Sequence, residues 1–439
     1  MWKSSGKLQN PLSDGNRYVM KDVSSAGRNA RRWCVLVFFS AAAVMSGCAS
    51  ARLQQARSEF YSGNLGEASA ALSSPDKVSS REQLLFYMEK GLILHYAGQY
   101  PESILLLRKA SDLIQAQEVI SASQQVASMV TTEWITEYKG EYAERLFVHT
   151  YLMMDYLLVN DPESALVEAK QALAVYKDYP EACSGDLFTR ALIAHCFEAE
   201  GEINDAYIEY KKLAELLPSP ALVADRLCDL GSRLGFSDDV KRYQKYLPPS
   251  AGKSPKTDEA AELIVFAAQG RAPVKVPQNI VLPPSIRFSF ATYENVTDGF
   301  YPVAVHGSNG TETGSPITTD VGQVLRTSLK DRLTQIIAKE TARAVAKEAI
   351  ARQVDDPLAE LLVRIALLIM EEPDTRCWET LPAYLTLVRV PLRKGLNRID
   401  LGQEGGMPVL EITVTPEHPR YYYQSVRDGG DYHPMSASP

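Results

Sequence analysis

The chain has 439 residues, 46 basic and 54 acidic side chains, and a formal net charge of −8. Removing residues 1–47 takes away seven basic and two acidic side chains and leaves −13; phosphate backbones and anionic headgroups attract basic patches, so neither is an expected partner. With 45% hydrophobic residues there is material for two cored domains, and after residue 47 no apolar run reaches the roughly 20 residues of a membrane-crossing helix.

In chain order, Arg31 and Arg32 come first, ahead of the apolar run Trp33 to Met45. The run is too short to span a bilayer and closes on small residues and a cysteine, which is the pattern of a secretory signal. Val44-Met45-Ser46-Gly47-Cys48 resembles the cleavage site of bacterial lipoproteins. That resemblance implies an acylated Cys48 as first residue of the mature chain, and buried acyl methylenes worth about 0.8 kcal/mol each would hold it to a membrane. An ordinary cleaved signal with a cysteine nearby is the alternative. Ala49, rather than Asp, implies the outer membrane with the chain facing the periplasm. Met1 to Val19 is polar, and Met20 is the expected translation start.

Residues 48–247 read as helical repeats. A turn residue is followed five positions on by Ala or Ser in Gly63/Ala68, Gly98/Ser103, Asn160/Ala165 and Gly201/Ala206. Ala56, Gly91, Met153 or Ala194 stands seven before it, and Leu72, Leu107, Ala169 or Tyr210 nine after. The sense is a helix hairpin: the turn residue tolerates an unusual φ, and small residues let two helices approach. The offsets resemble the tetratricopeptide repeat, without its usual first-helix tryptophan. An insertion separates the second and third copies, with Gln115 to Val130 expected as an added helix. Stacked hairpins form a solenoid with a groove, and the turn residues with Tyr100, Tyr156 and Tyr210 are the candidate groove or repeat positions. A groove that docks a partner and a groove filled by its own chain are both open.

Residues 248–260 have linker composition. The second half, 261–427, reads as a small antiparallel sheet backed by two helices. Strands are expected at Glu262 to Phe266, around Ile280 to Phe290 with Pro283-Pro284 marking an edge or a start, and at Tyr384 to Pro391, Asn397 to Leu401, Val409 to Val414 and Tyr421 to Val426. Arg393-Lys394-Gly395 is expected to turn the first hairpin of the last group. Helices are expected from about Asp320 to Val354 and through Leu358 to Ile369. The tail 428–439 is expected to be disordered.

Lys139-Gly140-Glu141-Tyr142-Ala143-Glu144-Arg145 with His149-Thr150-Tyr151, then Gly270-Arg271-Ala272-Pro273-Val274-Lys275, then Asp374-Thr375-Arg376-Cys377-Trp378-Glu379-Thr380-Leu381-Pro382-Ala383, together resemble an uncharacterised family of Gram-negative lipoproteins with tetratricopeptide-like N-terminal halves. The resemblance implies location and architecture, with a link to cell-envelope assembly and no established activity.

Asp374, Arg376 and Trp378 are the best candidates for chemistry. Asp374 is expected to cap or pair with Arg376, and Trp378 to cover the core, with a small-anion pocket at Arg376 as the alternative. None of the six histidines lies at metal-ligand spacing on one helix, and His195-Cys196 is a poor dyad because adjacent helical positions diverge. Glu141 and Glu144, one turn apart, read as a solvated face. Cys183, Cys196, Cys228 and Cys377 match no zinc pattern; buried thiols are expected, with Cys183–Cys196 as the candidate disulfide. No catalytic, metal or cofactor site emerges. The expected function is a lipid-anchored scaffold docking envelope proteins, and the alternative is a carrier or sensor with a ligand pocket between the two halves.

Overall fold

The computed structural model describes residues 51–73, 78–124, 137–247, 261–282, 286–296, 316–333, 373–400, 409–415, 420–428 and 431–434. Cys48, the signal, the linker 248–260 and the helices expected beyond residue 333 lie outside them.

The first half is a stack of helix hairpins: residues 51–61 (α1) with Leu65–Ala71 (α2), Gln83–Tyr96 (α3) with Tyr100–Gln124 (α4), Tyr142–Leu158 (α5) with Pro162–Asp178 (α6), and Leu187–Ala199 (α7) with Ile203–Leu216 (α8). Gly63, Gly98, Asn160 and Gly201 all take positive φ, between 59° and 78°. At each turn the amide just past this residue bonds back to a carbonyl in the first helix: Asn64 to Glu59, Gln99 to Leu94, Asp161 to Tyr156 and Glu202 to Phe197, at 2.8–2.9 Å. This is the glycine-type helix stop, which satisfies carbonyls the helix end would otherwise orphan. The small residues do what their spacing implies. Ser103 donates its hydroxyl to the Gly91 carbonyl at 2.9 Å, and a methyl on Gly91 would lie 2.7 Å from Leu107.

A fifth hairpin, Ala224–Arg233 (α9) with Ser237–Gln244 (α10), turns at Gly235 with φ of 77° and the same bond, Phe236 N–H to Gly231 O at 2.8 Å. The sequence pattern misses it because Val240 stands where the other copies have Ala or Ser. The space is supplied from the facing helix instead: a Cβ on Gly231 would sit 3.2 Å from Val240. The added helix expected from Gln115 is also different, since Gln115 to Gln124 continue α4 without a break.

The second half is a five-stranded sheet in the order β4-β5-β1-β8-β9, formed by Ala261–Gln269 (β1), Ile317–Asp320 (β4), Tyr384–Leu392 (β5), Arg420–Asp428 (β8) and Asp431–Pro434 (β9). Two separate ribbons pair Val274–Leu282 (β2) with Ile286–Glu294 (β3) and Gly395–Asp400 (β6) with Val409–Val414 (β7). Pairing is antiparallel except between β1 and β8, which run parallel. The helix at residues 321–333 (α11) follows β4, and Asp320 caps it by accepting the Gln323 N–H at 2.8 Å.

Three expectations are corrected. The stretch around Ile280 to Phe290 holds parts of two strands, β2 and β3. Arg393-Lys394-Gly395 does not make a hairpin of β5 and β6: β5 pairs with β1 along its length and with β4 over Tyr384 to Leu387, and β6 pairs instead with β7. In the tail, Asp431–Pro434 pairs with β8; edge pairing is made by the backbone and needs no apolar pattern.

β1 is buried along its whole length. On one face Ile264, Phe266 and Ala268 join the core of the helical repeats. On the other, Leu263, Val265 and Ala267 pack with Ile399, Ile412 and Val414 of the β6–β7 ribbon. A strand covered on both faces reads as a continuous apolar run, as this one does.

Candidate functional site at the joint between repeats and sheet

The three motif stretches, far apart in sequence, meet at one place. Residues 373–383 run from Asp374 to the start of β5 across the first helices of the repeats. Trp378, 1% exposed, packs on Tyr151 of α5 with ring centroids 5.9 Å apart and donates its indole N–H to Thr380 at 3.0 Å. Its backbone N–H goes to Glu144 Oε1 at 2.8 Å. The next amide, of Glu379, goes to Glu89 Oε1 of α3 at 3.1 Å. Two carboxylates on neighbouring first helices thus receive two successive amides of the inserted segment, a charge-assisted pairing that a water-filled groove would not need.

Cations close the arrangement. Arg57 of α1 binds Glu89 at 2.6 and 2.8 Å, Glu379 at 2.6 Å and the Cys377 carbonyl at 3.0 Å. Arg271 reaches Glu379 at 3.0 Å, and Lys275 of β2 reaches Glu141 at 2.6 Å, with Arg332 of α11 at 3.4 Å. Burial alone would raise the carboxyl of Glu141, but Lys275 and Arg332 hold it below the ordinary range. Glu144 is raised, because burial outweighs Lys275 and its hydrogen bonds from Trp378 and Tyr138. Neither glutamate faces solvent, so the expected solvated face is corrected. Lys139 to Glu144 enters the joint as the N-terminus of α5, where Glu144 accepts the Glu141 N–H at 2.7 Å and the Tyr138 hydroxyl at 2.5 Å.

Asp374 and Arg376 pair as expected, through Nε–Oδ1 at 2.8 Å and Nη2–Oδ2 at 2.7 Å. Arg376 also donates to the Arg81 carbonyl at 2.8 Å and lies over the Tyr138 ring, so its guanidinium is committed to the chain.

A second polar cluster joins α7 to the sheet. Arg389 of β5 bridges Glu198 at 3.0 Å and Glu262 at 2.8 Å, and Arg226 reaches the same two at 3.2 and 3.3 Å. Burial would raise Glu262, yet Arg389 and Arg226 bring it down to about 2. His195 bonds to the Tyr422 hydroxyl at 3.1 Å, and burial together with Arg389 lowers it to about 3, so it is neutral. Thr319 of β4 caps α7, accepting the Leu187 and Phe188 N–H groups at 2.9 and 2.7 Å while donating to Asp186 at 2.9 Å.

The groove formed by the first helices is therefore filled by the chain's own second half. Tyr100, Tyr156 and Tyr210 are all buried. Tyr100 packs edge-on to His95, and Tyr210 donates to Glu198 at 2.8 Å and meets Arg389. His149 bonds to Glu168 at 2.7 Å, and His95 to Asp155 at 2.5 Å, both inside the repeats. Cys183, Cys196, Cys228 and Cys377 are free thiols. Burial, with Glu144 and Glu379, pushes Cys377 up to about 12, so it stays protonated. Among the described residues no group of three or more His, Cys, Asp or Glu is placed to hold a metal, and no helix is long and apolar enough to cross a membrane.

Sequence reasoning missed Arg57, Glu89, Glu198, Arg389 and Glu262. Glu262 carried a signal, as a lone charge in an otherwise apolar strand.

No protein-family model and no curated protein matches the chain. Solved structures similar to it include the nearly identical TPR-like repeats attributed to a Podosopora anserina kinesin light chain, with 16% identity, a TM-score of 0.32, and 45% of this chain covering 92% of that one. RapI in its apo form has 13% identity and a TM-score of 0.34, with 47% of this chain covering 54% of that one. YrrB, described as a TPR protein with an unusual peptide-binding site, has 14% identity and a TM-score of 0.32, with 45% covering 84%.

Proposed function

We propose that the chain is a lipid-anchored interaction scaffold of the bacterial cell envelope, held at the outer membrane through Cys48 and facing the periplasm. The observation that carries the scaffold reading is the joint itself. Glu144 and Glu89 bind the amides of Trp378 and Glu379, so the repeats and the sheet share one core and leave their outer helices to meet other proteins. The lipobox-like Val44-Met45-Ser46-Gly47-Cys48 supports the anchor. Ala51, the first described residue of α1, stands three positions after Cys48, so acyl chains there would keep that point of the chain within about 11 Å of the headgroups, given at most ~3.6 Å per extended residue. Anchoring confines the scaffold to a thin layer and raises the effective concentration of whatever it binds.

The test is fractionation with labelled palmitate. The wild-type chain is expected in the membrane fraction carrying label, and Cys48→Ser in the soluble periplasmic fraction without it. Full membrane retention of the Cys48→Ser chain would remove the anchor, and crosslinked partners unchanged on its release would remove the tethering role.

A further inference from the structure

The second helix of each hairpin carries a repeating surface pattern that the joint does not use. Seven positions after the turn residue stand Leu105, Val167 and Ile208, exposed by 57%, 54% and 40%, with the smaller Ala70 in the first copy. Three or four positions after the turn stand Glu102, Glu163 and Asp205, all exposed. Ten or eleven after it stand Arg108 with Lys109, Lys170, and Lys211 with Lys212. In α4, α6 and α8 all these positions fall within about 60° of the apolar one around the helix axis, at 100° per residue, so they share its outward side. Across the three helices they make three rows: acidic, apolar, basic.

The acidic and basic rows are about seven residues apart, roughly 10 Å along the helix axis at 1.5 Å per residue, which is the width of an α-helix with its side chains. We propose that this face docks an amphipathic helix of a partner protein, laid across α4, α6 and α8. Its apolar seam lies on Leu105, Val167 and Ile208, its basic flank meets Glu102, Glu163 and Asp205, and its acidic flank meets the Arg108 to Lys212 row. Lys170 and Lys212 pair with Glu202 and Glu209 at 3.1 and 2.7 Å, but each is still 53% exposed, whereas Lys211 is held by Asp239 of α10 at 2.8 Å, so Lys170 and Lys212 supply the accessible charge of the row in α6 and α8. The balance of charges opposes an anionic lipid surface, which the acidic row would repel. The proposal deepens the scaffold reading by naming the chemistry of its partner, and it does not depend on the anchor.

The probe is a synthetic stapled helix of about three heptads, ~30 Å long, with leucine along its seam, lysine on one flank and glutamate on the other. The control carries glutamate on both flanks, because simply exchanging the flanks would be undone by reversing the helix. Fluorescence anisotropy with the full chain in detergent is expected to show binding of the mixed helix at least about tenfold tighter than the control, since like charges juxtaposed at an interface are costly. L105E/V167E/I208E, whose changes are all on the surface, is expected to abolish binding while leaving circular dichroism and melting temperature unchanged. Equal binding of the two helices, binding that survives the triple substitution, or self-association of the chain through this face would each overturn the proposal. Loss of binding here with membrane retention intact would leave the anchor standing.

Discussion

Glu144 accepts the backbone N–H of Trp378 at 2.8 Å across 234 residues of sequence. Its other oxygen takes the amide of Glu141 and the hydroxyl of Tyr138, so one carboxyl group starts α5, fixes the approach to it and seats the inserted segment. Glu144→Ala leaves three buried donors without an acceptor and is expected to cost about 3 kcal/mol or more, at about 1–3 kcal/mol per orphaned group. Urea denaturation measures it. A loss below about 1 kcal/mol would show that the joint contributes little.

Thr319→Val removes the hydroxyl that caps α7 from a strand of the other half. The expected loss is about 1–2 kcal/mol, with faster hydrogen exchange at the amides of Leu187 and Phe188 and little change in α3. Uniform acceleration through all the repeats would instead mean that the cap acts only through global stability.

Gly91→Ala places a methyl 2.7 Å from Leu107 Cδ2 and 2.8 Å from Cγ. Overpacking of this kind costs about 1–3 kcal/mol. Adding Leu107→Ala is expected to cost less in the Gly91→Ala background than in the wild type, and a double-mutant cycle in thermal melts reads that coupling. Strict additivity would contradict the close approach.

Asn160 is the one turn residue in the repeat series that is not glycine, and it sits at φ of 59°. Asn160→Gly is expected to be near neutral. Asn160→Val, with a β-branched side chain in the left-handed region, is expected to lower stability by about 1–3 kcal/mol. Equal melting temperatures for the two variants would refute the backbone argument.

Acid is expected to loosen the second cluster. Glu262 is lowered from its ordinary 4.5 to about 2 in the folded chain. Its contribution is therefore fully present above about pH 4.5 and is lost as the pH falls toward 2, amounting to no more than about 3 kcal/mol. Glu262→Gln is expected to reduce stability at pH 7 and to flatten the fall between pH 4.5 and 2. An unchanged acid limb in that variant would assign the effect to other carboxylates.

The repeats were legible because the information that makes a helix hairpin is local. Gly63, Gly98, Asn160 and Gly201, with small residues five positions on, describe one turn and one close approach, and both ends of the pattern lie within a few helical turns. The fifth hairpin escaped for the same reason: Val240 and Gly231 exchange large and small between two helices, a complementarity visible only once they pack. Pairing of Asp374 with Arg376 was readable because two positions apart is close enough for one side chain to reach the other.

Local spacing thus determined the first four hairpins, their stop residues, most strand positions and the internal Asp374–Arg376 pair. Tertiary structure alone decided that Glu141 and Glu144 are buried, that β1 takes β8 as a parallel neighbour, and that the face of the first helices is closed by the chain's own Trp378 segment. Those outcomes depend on which groups from distant parts of the chain remove water from a side chain or occupy a strand's free edge, and a carboxylate carries no local mark of whether an arginine or an amide will replace its solvent.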